Sequence, residues 1–135
     1  KHEGLRLKAY SCPAGVWTIG YGDTHYLKKA KNPSTATITK AVALQLLNDY
    51  VIQDYIVLQK YITVDLTSNQ KIALLSLLFN IGRSAFSKST LRKKINLIAP
   101  IYEQEKWFKV WNKVNKETNK GLVNRRGDEW SKFIK

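Results

Sequence analysis

One carboxylate, Glu3, stands immediately before a glycine-containing apolar stretch in a chain where only 10 of 135 residues are acidic. A protein of net charge +13 gains nothing in solubility from one more carboxylate there. A carboxyl group in a partly desolvated cleft keeps a raised pKa and can hand a proton to a leaving group. Taken alone, such a residue is more commonly an ordinary surface glutamate. Cys12 is the chain's single cysteine, which excludes an internal disulfide. One Cys with only two histidines, His2 and His25, gives no dedicated metal site. A thiol of ordinary pKa, about 8.5, is a poor base until it loses its proton. Cys12 is therefore open to a role as thiolate, as hydrogen-bonding positioner or as filler. Thr18 lies in a strand-like run, where β-branching alone would account for it.

The run E-G-L-R-L-K-A-Y-S-C-P-A-G-V-W-T-I-G-Y-G-D-T resembles the opening of the phage-type lysozymes, the endolysin family that includes the T4 lysozyme fold. That family pairs a Glu with an Asp or Cys nine positions on and a Thr six beyond, and Glu3, Cys12 and Thr18 stand at those positions. The resemblance implies three catalytic residues. Glu3 protonates the leaving glycosidic oxygen, Thr18 orients the attacking water, and Cys12 stands where many members carry Asp. In an inverting glycosidase the second group is a carboxylate roughly 6.5–9.5 Å from the first, leaving room for water. Asp23 departs from the pattern, since Y-G-D-T-H replaces Y-G-H-T. It reads first as a structural substitute, and second as a source of the carboxylate that Cys12 lacks.

Two later stretches extend the resemblance. L-L-S-L-L-F-N-I-G-R-S-A-F-S-K-S-T-L is similar to the family's central helix and implies that Phe79 and Asn80 line the cleft floor. On residue type alone, Phe79 is core and Asn80 a helix-end residue before Gly82. G-L-V-N-R-R is similar to the family's late motif and implies that Arg125 approaches the Glu3 carboxylate and Asn124 contacts substrate. A nearby cation lowers a carboxylate's pKa, so burial must offset Arg125 for Glu3 to remain a working acid. Without the resemblance, Arg125 and Arg126 read as solvated charges at a helix start.

These residues need elements to hold them. Residues 1–9 read as the end of a helix, with Leu5, Leu7 and Ala9 partly buried. Residues 10–27 read as a small antiparallel sheet, turned at Pro13-Ala14-Gly15, with Gly20 and Gly22 permitting close approach. A polar loop over 28–38 leads to Thr39, an N-cap. From Ala41 to about Gln59, Leu44, Leu47, Val51, Tyr55 and Leu58 recur at helical spacing. Thr67 or Ser68 caps a helix containing Lys71 to Ile81, apolar nearly all round and so expected to be central, ended by Gly82. Helices at about 88–97 and 101–114 follow, the latter carrying Trp107, Val110, Trp111 and Val114. Gly121 breaks the chain before a final helix with Arg125, Arg126, Trp130 and Phe133. The expected class is α+β, mainly helical. A lysozyme-like fold would form one catalytic domain over 1–135, with a small β-sheet lobe at about 10–38, a connecting helix at about 40–59 and a helical lobe at about 60–135 around a cleft.

At 15.5 kDa and 44% hydrophobic residues, one globular domain is expected. The longest apolar run, Ile72 to Phe79, falls far short of the ~20 residues that span a bilayer. A pI near 9.9 suits polyanions, whether nucleic acid, anionic lipid or anionic cell wall; lysine-rich composition also serves solubility alone. No basic-plus-aromatic signature of a nucleic-acid module is present. The resemblance implies hydrolysis of the β-1,4 bond between N-acetylmuramic acid and N-acetylglucosamine in peptidoglycan, without cofactor or metal. It further implies a monomer with no nucleic-acid partner and no stable membrane insertion of this segment. The protein would act in the periplasm or outside the cell, after export or holin-type release, and a segment upstream of Lys1 is open to being a helix turn or an export signal. Two alternatives stay open: a lytic transglycosylase, and a cationic wall-binding protein with impaired chemistry.

Overall fold

The spacing of two between Leu5, Leu7 and Ala9 is a strand period, not a helical one. The computed structural model, which describes residues 5–11, 16–23, 26–29 and 31–135, accordingly places a strand, β1, at Arg6–Ser11. The helix end expected over residues 1–9 is corrected there, and Leu7 is exposed. β1 pairs antiparallel with β2, Trp17–Gly20. Tyr10 faces Thr18 and Ser11 faces Trp17, whereas Arg6 faces Gly20, so β1 carries a register shift between Arg6 and Tyr10. Such an irregularity bends the strand and increases its twist. The expected turn Pro13-Ala14-Gly15 lies outside the described residues.

β2 closes on itself. Ile19 and Asp23 exchange main-chain hydrogen bonds of 2.8 and 2.9 Å. Gly20, at φ 69°, sits so close to Ala43 that a Cβ there would meet the Ala43 Cβ at 3.4 Å. The sheet stops earlier than expected, because Tyr26–Lys29 is a 3-10 helix. The segment 28–38 is also more ordered than a polar loop. Pro33–Thr35 forms a second 3-10 turn. Ala9 N donates to Ala36 O at 3.0 Å and Ile38 N to Leu7 O at 2.8 Å, extending the pairing of β1.

The chain separates into two compact units, the first ending at Ile52 and the second running Gln53–Lys135. The helix α1, Lys40–Tyr61, carries the chain from one into the other. Thr39 Oγ1 accepts from Val42 N at 3.2 Å, as expected of an N-cap. The expected apolar stripe is buried only in part: Leu58 is buried and Leu47 and Tyr55 are half-buried, but Leu44 and Val51 are exposed, while Ala43 and Asp54, off the stripe, are buried. A helix whose halves belong to different units has no single buried face.

The second unit is helical. α2, Ser68–Ile81, opens with a capping box: Thr67 Oγ1 accepts from Gln70 N at 3.1 Å and Gln70 Oε1 from Thr67 N at 2.8 Å. Gly82, at φ 92°, ends it. Ala73, Leu74, Leu77 and Leu78 are buried but Ile72 is exposed, so α2 is not buried all round. α4, Thr90–Asn96, is the helix expected near 88–97, and a further short helix, α3 (Arg83–Lys88), precedes it across Ser89, whose hydroxyl accepts from Arg92 N at 3.1 Å. α5, Ile101–Lys109, stops short of Val114. The chain instead makes a small hairpin, β3 (Lys113–Val114) and β4 (Glu117–Thr118). Its turn residues Asn115 and Lys116 both have positive φ, 51° and 68°, the requirement of a two-residue hairpin turn. Gly121 does not break the chain. It lies inside α6, Lys120–Phe133, which Asn119 caps by accepting from Leu122 N at 3.0 Å.

Phe108, Trp130 and Phe133 close the core, with Trp130 and Phe133 stacked at 5.1 Å and Phe108 edge-on to Trp130 at 5.6 Å. α4 ends in a two-bond cap, Ala99 N donating to Lys94 O at 3.0 Å and Ile98 N to Ile95 O at 2.9 Å. The left-handed position of that cap is usually glycine; here it is Ile98 at φ 51°, a conformation that costs a side-chain-bearing residue about 1–2 kcal/mol.

The capping box yields a direct expectation. Thr67→Ala should lower the unfolding free energy by about 1 kcal/mol in urea titration; an unchanged midpoint would mean that solvent replaces the cap without loss.

Candidate active site

Thr18 is buried on β2, and its hydroxyl donates to the Val16 carbonyl at 3.0 Å. That bond uses the hydroxyl proton and leaves the oxygen an acceptor. A water held there would donate to Thr18 and keep a lone pair free for attack. Asp23, bridged to the neighbouring Ile19, is buried too, and its Oδ1 accepts from Tyr26 N at 2.8 Å, capping the 3-10 helix. This is the structural role read first for Asp23. Glu3 and Cys12 lie outside the described residues.

In the second unit the late motif is buried. Arg125 and Arg126 are 6% and 0% exposed, so their reading as solvated charges is corrected. The reason is Glu129, itself buried, three and four residues further along α6, the spacing that puts side chains on one helical face. Arg125 Nε donates to Glu129 Oε2 at 3.1 Å, and Arg126 Nη2 donates to the same oxygen at 3.2 Å. Arg126 Nε lies 2.7 Å from Glu129 Oε1, close enough for an ion pair, but its N–H is not aimed at that oxygen. Ser76 on α2 donates its hydroxyl to Glu129 Oε2, and its carbonyl accepts from Arg125 Nη2 at 3.1 Å. Arg126 Nη1 donates to the Trp111 carbonyl at 3.2 Å. Burial pushes the Arg126 guanidinium below its ordinary pKa; the Glu129 charge pulls it back up, and the neighbouring Arg125 charge lowers it.

Asn80 lines a pocket of about 410 Å³ together with Ile81, Val110, Trp111, Lys113 and Leu122. The central-helix motif and the stretch just before Asn124 thus meet in one hollow. Phe79 is half-buried and Asn124 is exposed on the first turn of α6. Glu129, Ser76, Trp111 and Lys113 were not among the candidates. The spacing of Glu129 from both arginines was a readable signal. Nothing local marks Ser76, and Trp111 reads as a helical core residue because the end of α5 at Lys109 is not evident in the sequence.

The chain is thus a two-stranded hairpin unit with a buried threonine, followed by a helical unit organised on a buried arginine–glutamate cluster. The phage lysozyme family profile matches residues 1–129, and the chain belongs to that family. It is 41% identical over 136 aligned positions to the endolysin of Acyrthosiphon pisum secondary endosymbiont phage 1, covering 98% of this chain and 90% of that protein. It is 38% identical over 128 positions to the endolysin of Salmonella phage P22, covering 93% and 86%. Among solved structures it is similar to the muramidase domain of SpmX from Asticaccaulis excentricus, with TM-score 0.83, 31% identity, and 99% and 90% of the two chains covered. An endolysin from Escherichia coli O157:H7 phage FAHEc1 gives TM-score 0.80, 33% identity, and 98% and 85% coverage.

Removing the Glu129 charge strands two buried guanidiniums. Glu129→Gln should cost about 3–5 kcal/mol of stability in chemical denaturation; a cost under about 1 kcal/mol would mean that the arginines find other partners.

Proposed function

We propose that this chain is an endolysin that hydrolyses the β-1,4 bond between N-acetylmuramic acid and N-acetylglucosamine in peptidoglycan, with Glu3 as general acid. The observation that carries the reading is the family match itself. It runs over residues 1–129 without leaving out any of Glu3, Cys12, Thr18, Phe79, Asn80, Asn124 or Arg125. Relatives and structural neighbours named endolysin and muramidase support the same chemistry.

Glu3 gives its proton to the leaving glycosidic oxygen. Water attacks the anomeric carbon from the opposite face, donating a hydrogen bond to the Thr18 oxygen, and the proton it loses on bonding passes to solvent, from which Glu3 is reprotonated. Cys12 positions that water from the side where a carboxylate would otherwise stand. Positive charge builds on the sugar in the oxocarbenium-like transition state, and a neutral thiol stabilises it less than a carboxylate does. Asn80, Phe79 and Asn124 hold the glycan. Arg125, fixed by Glu129 and Ser76, orients the Glu3 carboxyl. Water is the nucleophile and a side chain the acid, so the reaction calls for no cofactor.

The whole of residues 1–135 works as one catalytic domain: a sheet lobe at about 10–38, a connecting helix at about 40–59 and a helical lobe at about 60–135. The protein acts as a monomer on the cell wall, reaching it by export or holin-type release, and has no nucleic-acid partner. A net charge of +13 favours encounter with an anionic wall. Among the described residues, no helix is long and apolar enough to cross a membrane.

In a turbidity assay on purified peptidoglycan, Glu3→Gln should lower the rate by about 10²–10⁴-fold, the contribution of a general acid. Clearing at the wild-type rate would remove Glu3 from the mechanism and leave a cationic wall-binding role. Cys12→Asp should raise kcat by supplying the missing negative charge; abolished activity would instead mean a role specific to sulfur.

A further inference from the structure

The turn between α4 and α5 holds its apolar side chains out into solvent. Leu97, Ile98, Ile101 and Tyr102 are 76%, 75%, 55% and 70% exposed. Single exposed apolar residues are ordinary, but four within six positions form a patch. The patch stands on a fixed base. The Asn96 side chain accepts from Thr63 N at 2.9 Å and donates to Tyr61 O at 2.8 Å. Gln104 Nε2 donates to Ala99 O at 2.7 Å. Ile98 occupies a left-handed position that glycine would fill without strain, and its side chain returns little burial to the fold. A strained residue that contributes so little to its own packing points to a use outside it.

We propose that this turn docks the protein on the surface of an anionic lipid bilayer. Lys93 and Lys94 occupy the last turn of α4, beside the patch. Phe133 shares a hollow with Ile95, Ile98 and Gln104, which brings the end of α6, with Lys132, exposed Ile134 and Lys135, to the same side. The acidic groups nearby are Glu103, already paired with Lys94 at 3.2 Å, and Asp65 on the hollow's rim. Apolar tips flanked by ammonium groups match a membrane interface: the tips enter the acyl boundary and the lysines meet headgroup phosphates. The lysine flank favours this occupant over an apolar protein groove, which would need only the tips. The proposal goes beyond wall hydrolysis and stands whether or not Glu3 is the acid.

The test is co-sedimentation with vesicles of phosphatidylethanolamine and phosphatidylglycerol at physiological salt, with phosphatidylcholine vesicles alongside. The wild type should bind the anionic vesicles and leave the neutral ones. The variant Leu97→Ser, Ile98→Gly, Ile101→Ser, Tyr102→Ser should bind at least about tenfold more weakly, through lost apolar burial. The single change Ile98→Gly should weaken binding while keeping or raising the thermal midpoint, which separates docking from folding. Equal binding by wild type and variant would assign the attraction to net charge and overturn the proposal. So would a wild type that stays in the supernatant, or self-association in sedimentation velocity that the same substitutions abolish without any lipid binding.

Discussion

The helical unit turns on one carboxylate. Glu129 faces two guanidiniums that have almost no contact with water. Desolvating a charge costs several kcal/mol unless a partner and hydrogen bonds restore what water gave. Glu129 can serve both arginines only if α6 presents this face to α2, where the Ser76 hydroxyl and carbonyl complete the set. The Trp111 carbonyl then fixes the chain after α5 to the same guanidinium cluster. A well-packed apolar replacement could match the cluster in stability. Its distinctive effect is geometric. It sets the rotation of the helix bearing Asn124 and Arg125 against the helix bearing Phe79 and Asn80.

The hairpin unit relies on a different constraint, main-chain pairing around a glycine. β2 is short and closes back through the Ile19–Asp23 bridge, while the register shift in β1 falls opposite the segment between Thr18 and Gly20. Thr18 gives its proton to the Val16 carbonyl, which leaves its oxygen an acceptor. Asp23 belongs to this framework through the 3-10 cap.

Much of this was readable from the chain. The capping residues Thr39 and Thr67, the stop at Gly82, the Thr18 strand and the last helix all follow from local chemistry that tertiary packing did not override. The errors arose where two signals competed. Leu5, Leu7 and Ala9 obey a strand period, although residues 1–9 read as the end of a helix. Trp107, Val110, Trp111 and Val114 keep helical spacing beyond Lys109, but the positive φ values at Asn115 and Lys116 make a hairpin there, and neither residue demands one by type. Gly121 sits in the first turn of α6, where the Asn119 cap outweighs its helix-breaking tendency. In the candidate site, the arginines were legible as a motif but not as buried groups. Glu129 is legible from its spacing, but the partners outside α6 are not: Arg125 reaches the Ser76 carbonyl, 49 residues away, and Arg126 the Trp111 carbonyl, 15 residues away.

The most direct test of the chemistry is the fate of solvent oxygen. Purified peptidoglycan would be digested in heavy-oxygen water and the released muropeptides weighed by mass spectrometry. Attack by a Thr18-held water gives reducing N-acetylmuramic acid ends that each carry one heavy oxygen. Unlabelled anhydro ends would mean that the sugar's own hydroxyl attacks, and would contradict hydrolysis at this site.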